Sequence, residues 1–125
     1  MSSHAIQRGK PRILCIDDSE SQLWLRTQVL EKDGYSVLSA TTAEKALHLL
    51  RNNPVSVIVS DHMLGGMTGT ELAAKCKKIK PKVPVVLYSG APPSTMRNVD
   101  CFILKGQPTS EFLTIIRDLV KRFAE

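Results

Sequence analysis

Cysteine is scarce in this sequence and scattered: Cys15, Cys76 and Cys101 are odd in number and far apart. No pair has the spacing of a metal site and no disulfide framework can be drawn, which fits a reducing cytosol. Long hydrophobic runs are missing too. The opening MSSHAIQRGKPR holds no signal-peptide core, and the greasiest stretch, Val83 to Leu87, is interrupted by Pro84, so neither export nor a membrane span is written here. There is no linker, internal repeat or low-complexity tract. Aromatic residues make up 5%, and none is interleaved with the basic clusters in the way that reading nucleic acid requires.

What is present is the material of one ordinary domain. The 125 residues are 42% apolar and 23% charged. A chain of this length buries roughly two-thirds of its unfolded surface, so it needs no metal or disulfide to hold together. The formal net charge of +5 gathers in three places. Arg8, Lys10 and Arg12 form a basic arm; Lys75, Lys77, Lys78, Lys80 and Lys82 surround the end of one helical segment; Arg117, Lys121 and Arg122 end another. Cations at helix C-termini complement the helix dipole, so a solvated surface is the simpler reading and nucleic acid is disfavoured as a partner.

Strand-like and helix-like segments alternate. RILCI (12–16) leads to SESQLWLRTQVLEKDGY, where Leu25, Val29 and Leu30 recur at helical spacing and Gly34 supplies a stop. Residues 35–40 form a strand, and TTAEKALHLLRNN a helix capped by Thr42 with Ala46, Leu47 and Leu50 inward. VSVIVS (55–60) is β-branched and continuously apolar, as a strand buried on both faces should be. A glycine-rich loop, a helix over about 70–80, strands at 83–88 and 101–104, and a helix over 109–123 complete the series. That last helix carries Phe112, Ile115, Ile116, Leu119, Val120 and Phe123 on one side. The alternation predicts a doubly wound α/β sheet. Between Ser89 and Asp100, GAPPSTMRNV holds two consecutive prolines and no helical stripe, so a full helix is not expected there.

Ligands of open α/β sheets bind beyond the carboxyl ends of the strands. The polar residues at those ends are Asp17 and Asp18, Asp61, Ser89 and Lys105. Taken singly, each has an ordinary explanation as a helix cap, a turn former or a solvated charge. Together, three carboxylates on one edge would repel unless a cation sat among them, and an all-oxygen cluster suits Mg²⁺. A lysine opposite would help to neutralise a phosphoryl group while a carboxylate attacks it.

From about Arg12 to Phe123 the chain resembles the receiver domain of two-component response regulators, through ILCIDDSE, VIVSDHMLGGMTGTEL, VVLYSG and FILKG. The resemblance implies a flavodoxin-like five-stranded parallel sheet of order 2-1-3-4-5, with residues 1–11 a flexible basic arm and 12–125 the receiver. It implies that Asp17 and Asp18 are the metal pair for Mg²⁺ and Asp61 the phosphoacceptor, with the backbone carbonyl of Met63 a further ligand. Ser89 and Lys105 would contact the phosphoryl group, and Phe102 would be the switch aromatic. The donor would be a histidine kinase or phosphotransfer protein, the chain cytoplasmic, and its chemistry limited to self-catalysed phosphorylation and slow dephosphorylation. The chain ends soon after its last helix, so a stand-alone receiver signalling through protein contacts is expected.

The pattern is broken in places. Lys105 is followed by Gly106 where the family usually has proline, and Gly65 also stands where proline is common. Ser89 and Lys105 are 16 positions apart, shorter than the family norm by roughly six residues, or about one and a half helical turns, so the family's fourth helix is shortened or missing. With Leu25 and Val29 turned inward, Leu23 and Trp24 are expected to be exposed and to dock a helical partner. The alternatives are a receiver-like interaction module that no longer uses phosphorylation, a Mg²⁺-dependent aspartyl-phosphate hydrolase, and a basic nucleic-acid-binding domain. For the hydrolase, the required second Asp two residues after the first is Ser19 here.

Overall fold

In the computed structural model, residues 10–123 are described. The basic arm expected at 1–11 therefore lies, apart from Lys10 and Pro11, outside the described residues. The elements run β1 (Arg12–Ile16), α1 (Glu20–Lys32), β2 (Ser36–Ala40), α2 (Ala43–Asn52), β3 (Val57–Ser60), α3 (Gly69–Ile79), β4 (Val85–Ser89), β5 (Cys101–Leu104) and α4 (Thr109–Arg122). All strand pairs are parallel and the sheet order is β2-β1-β3-β4-β5. This is the flavodoxin-like arrangement, with the winding reversing between β1 and β3.

The central strands are buried on both faces because both faces carry helices. Ile13, Cys15, Val57, Val59 and Val86 pack under α1 and α4, where Leu30, Phe112, Ile116 and Leu119 meet them. Leu14, Ile16, Ile58 and Val85 pack on the other face under Ala46 and Leu50 of α2 and Leu72, Ala73 and Cys76 of α3. Three of the four helices begin where the sequence provides a side-chain cap, and α4 begins after Pro108 without one. Ser19 accepts from the Gln22 amide, Thr42 from that of Lys45, and Thr68 and Glu71 form a reciprocal capping box at α3.

Among the described residues no helix joins β4 to β5, as the paired prolines predict. The link is pinned by one carboxylate: Asp100 Oδ2 accepts from the Lys77 ammonium at 2.7 Å and from the Val85 amide at 2.8 Å. Lys80 donates to the Asn53 carbonyl. Two lysines of the basic cluster thus hold backbone or carboxylate partners of their own chain and are not free to bind a phosphate backbone.

The structure corrects the reading of α1. Its buried residues are Leu23, Arg26 and Leu30, whereas Leu25 is 55% exposed. Leu23 is therefore a core residue and cannot dock a partner. The inward stripe steps by three and then four residues through an arginine, and a count of apolar positions alone reads that arginine as solvent-facing. Trp24 is 61% exposed as expected, and its exposed neighbour is Leu25. The apolar stripe of α4 also thins at its end, where Phe123 is exposed.

Candidate functional site

The carboxyl edge of the sheet brings the acidic residues together. The backbone amide of Asp17 donates to the Ala40 carbonyl and that of Asp61 to the Ile16 carbonyl, so each aspartate leaves its strand still tied to a neighbour. Asp17, Asp18 and Asp61 each offer a carboxylate oxygen within 4.8 Å of the others. An oxygen-only donor set of this size, with Asp18 exposed and Asp61 half-buried at its mouth, fits a small divalent cation that keeps some of its water.

Lys105 closes the cluster from just beyond the end of β5. Its ammonium lies 3.4 Å from Asp61 Oδ1 and 3.5 Å from Asp17 Oδ2. The backbone reinforces this placement, since the Lys105 amide donates to the Ser89 carbonyl at 2.8 Å. Ser89 is nearly buried at the end of β4, in register with Leu104, and its hydroxyl accepts from the Ala91 amide. After Lys105 the chain turns at Gly106 with φ +97°, an angle side chains rarely adopt. Glycine thus makes the turn where a proline was the more familiar residue.

The loop after Asp61 folds back on itself. Its turn is closed by hydrogen bonds from the Leu64 amide to the Met67 carbonyl and from the Gly69 amide to the His62 carbonyl, so the Met63 carbonyl takes part in neither. The His62 amide donates to Asp61 Oδ1 at 2.9 Å, which fixes the carboxylate. Gly69 is required beneath this loop: a Cβ there would stand 2.6 Å from the Asp61 carbonyl oxygen and 2.5 Å from Leu87 Cδ2. Phe102 is half-buried on β5, in register with Leu87, on the opposite face of the sheet from Ile103.

One residue of the site was not foreseen. Arg26, buried on α1, donates to Asp17 Oδ2 at 3.1 Å, and its guanidinium carbon lies 4.8 Å from the centre of the Tyr88 ring. Leu23 and Leu30 flank it on the same stripe, and burying each stabilises the fold by roughly 1.5–3 kcal/mol, so the helix face is held inward and Arg26 is carried with it. The spacing Leu23, Arg26, Leu30 was the available signal. Cys15, beside this pair on β1, is not a competing ligand, because burial pushes its thiol up to about 12. Arg26 opposes that shift and Asp17 adds to it.

A family model described as the response regulator receiver domain matches residues 13–115. The two-component response regulator ORR5 of Oryza sativa subsp. japonica is 33% identical over 100 residues, covering 77% of this chain and 75% of that protein. The transcriptional regulatory protein GlrR of Escherichia coli (strain K12) is 27% identical over 118 residues, covering 90% of this chain. The chain spans only 27% of the length of GlrR. Among solved structures, a CheY-like response regulator receiver domain protein from Methanospirillum hungatei JF-1 superposes with a TM-score of 0.84 at 28% identity, covering 92% of this chain and 97% of that one.

Proposed function

The chain belongs to the response regulator receiver domain family of two-component signalling, and from that premise we propose that Asp61 is its phosphoacceptor. The observation that carries this reading is the convergence of three carboxylates with the Lys105 ammonium at the carboxyl edge of the sheet. Receiver domains bind Mg²⁺ and interact with histidine kinases or phosphotransfer proteins. In this chain Asp17, Asp18, Asp61 and the Met63 carbonyl would hold the ion, which supplies positive charge against the phosphoryl oxygens.

An Asp61 carboxylate oxygen attacks the phosphorus in line. A phosphorus–oxygen bond forms as the phosphorus–nitrogen bond of a donor phosphohistidine breaks, and the imidazole leaves with the bonding pair. Little is asked of the protein beyond positioning and charge neutralisation. Lys105 supplies the neutralising charge from just beyond the end of β5, and the His62 amide holds the attacking carboxylate in place. Ser89 would then turn its hydroxyl to the new phosphoryl oxygens and draw the 90–100 link inward, and Phe102 would repack on β5. The exposed Met63 and Ala91 carry no group able to orient a water, so the acylphosphate decays slowly. The protein would act in the cytoplasm, where donors of this kind are met. Trp24 and Leu25, exposed together on α1, would meet the donor.

The test is to incubate the protein with Mg²⁺ and acetyl phosphate and weigh it beside Asp61→Asn. A phosphate-sized gain in mass, absent from the variant, is expected. No gain in either chain would move the assignment to a receiver-like interaction module that works without phosphorylation.

A further inference from the structure

Arg26 stands out among the buried groups because the phosphoacceptor chemistry does not call for it. Its side chain is 4% exposed, and its Nε and one terminal nitrogen find no partner among the described residues. A guanidinium is costly to bury, and this one sits on a helix stripe where an aliphatic residue would fill the space without that cost. Its compensation is concentrated on one carboxylate and one ring: Asp17 Oδ2 at 3.1 Å and the Tyr88 face at 4.8 Å.

The other oxygen of Asp17 is occupied as well, because Oδ1 accepts from the Ser19 amide at 2.9 Å. Both oxygens of Asp17 thus already have partners in its own chain: Oδ1 an amide, Oδ2 Arg26 and, more distantly, Lys105. Asp18 and Asp61 differ, since neither meets Arg26. A divalent cation entering the cluster meets three carboxylates already offset by two cations, one of which cannot retreat into water.

From this geometry we infer that Arg26 is a resident counter-ion that competes with Mg²⁺ for Asp17 and sets the metal affinity of the site low. The inference rests on the metal reading above. Its consequence is that the readiness of Asp61 to accept a phosphoryl group follows the concentration of free Mg²⁺ instead of being saturated by it. It also ties the site to α1, since Arg26 lies on the same helix as the exposed Trp24 and Leu25.

The test is calorimetric titration of the full chain with MgCl₂ at constant ionic strength, beside Arg26→Met. A volume-matched apolar replacement of one partner frees Asp17 for the metal, and tightening of Kd by about tenfold is expected, equivalent to roughly 1.4 kcal/mol. A Kd unchanged or weaker in the variant would overturn the inference while leaving the metal site standing. Heat from neither chain would overturn the metal site and the inference with it. Should the variant fail to fold, the wild-type protein decides: the Arg26 Nε–H resonance, observed with ¹⁵N-labelled arginine, is expected to shift as Mg²⁺ saturates the site. An Arg26 resonance that stays still while Mg²⁺ binds overturns the inference.

Discussion

The ammonium of Lys105 lies 3.4 Å from the carboxylate of Asp61, across the gap between the ends of β5 and β3. Under the proposed function, that position would let one charge hold Asp61 before reaction and the phosphoryl oxygens during it. Replacing Lys105 with Met should slow phosphorylation by acetyl phosphate about a hundredfold, the usual loss on removing one preorganised electrostatic group. The rate of mass gain measures this, and a rate within twofold of wild type would remove Lys105 from the chemistry.

The two members of the acidic pair should separate cleanly by stability. Asp17→Asn strands the buried Arg26 without its charge partner and should cost about 3–5 kcal/mol. Asp18 is exposed, and Asp18→Asn should stay within about 0.5 kcal/mol of wild type. Urea denaturation of both variants without Mg²⁺ checks the contrast.

Gly69→Ala tests the floor of the acceptor loop. The added methyl group meets a backbone carbonyl, which cannot swing aside as a side chain end can, and the resulting strain should cost about 1–3 kcal/mol. Because the atom it strikes is the Asp61 carbonyl oxygen, the variant should also phosphorylate more slowly. A melting temperature equal to wild type would show that the loop yields at no cost.

Alkaline pH should destabilise the fold through its buried thiols. Burial raises Cys15 from 9.0 to about 12, so above pH 9 the unfolded chain loses a proton that the folded chain keeps. The stabilisation is complete below pH 9.0 and is lost as pH rises toward about 12. Cys76, raised to about 11, acts in the same direction. Melting curves from pH 9.0 upward should fall less steeply for Cys15→Val than for wild type, and parallel curves would contradict the assignment.

On α1, neighbouring residues should behave in opposite ways. Leu23→Ala removes a core side chain and should cost about 2–5 kcal/mol. Trp24→Ala should leave stability and phosphorylation by acetyl phosphate unchanged while reducing transfer from the protein donor. Equal loss from both donors would place Trp24 in the chemistry and not in docking.

The placement of the candidate residues could be read from the sequence because parallel strands end abruptly in polar residues, and Asp17, Asp18, Asp61, Ser89 and Lys105 each follow an apolar run that admits one strand register. The missing helix was legible for a similar reason, since adjacent prolines remove two amides from any helix drawn across 90–100. The inward face of α1 was not legible. Apolar periodicity gives an arginine to water, and the charge of Asp17 and the ring of Tyr88, both outside the helix, make its burial tolerable. That information is tertiary and lies outside any helical window.

The helix-free link leaves the seam between β4 and β5 thinly covered beside the carboxyl edge of the sheet. β5 is an edge strand of four residues, and the face that α2 and α3 cover further in is thin above it, where Leu104 is 38% exposed and Phe102 is only half-buried. Local opening in native proteins follows low packing density, so amide hydrogens of β5 should exchange before those of β1 and β3, which report the opening of the whole molecule. The Lys105 amide bonds across that seam to Ser89. Parting β5 from β4 would therefore carry the lysine away from Asp61 and switch the acceptor off while the rest of the domain stays folded.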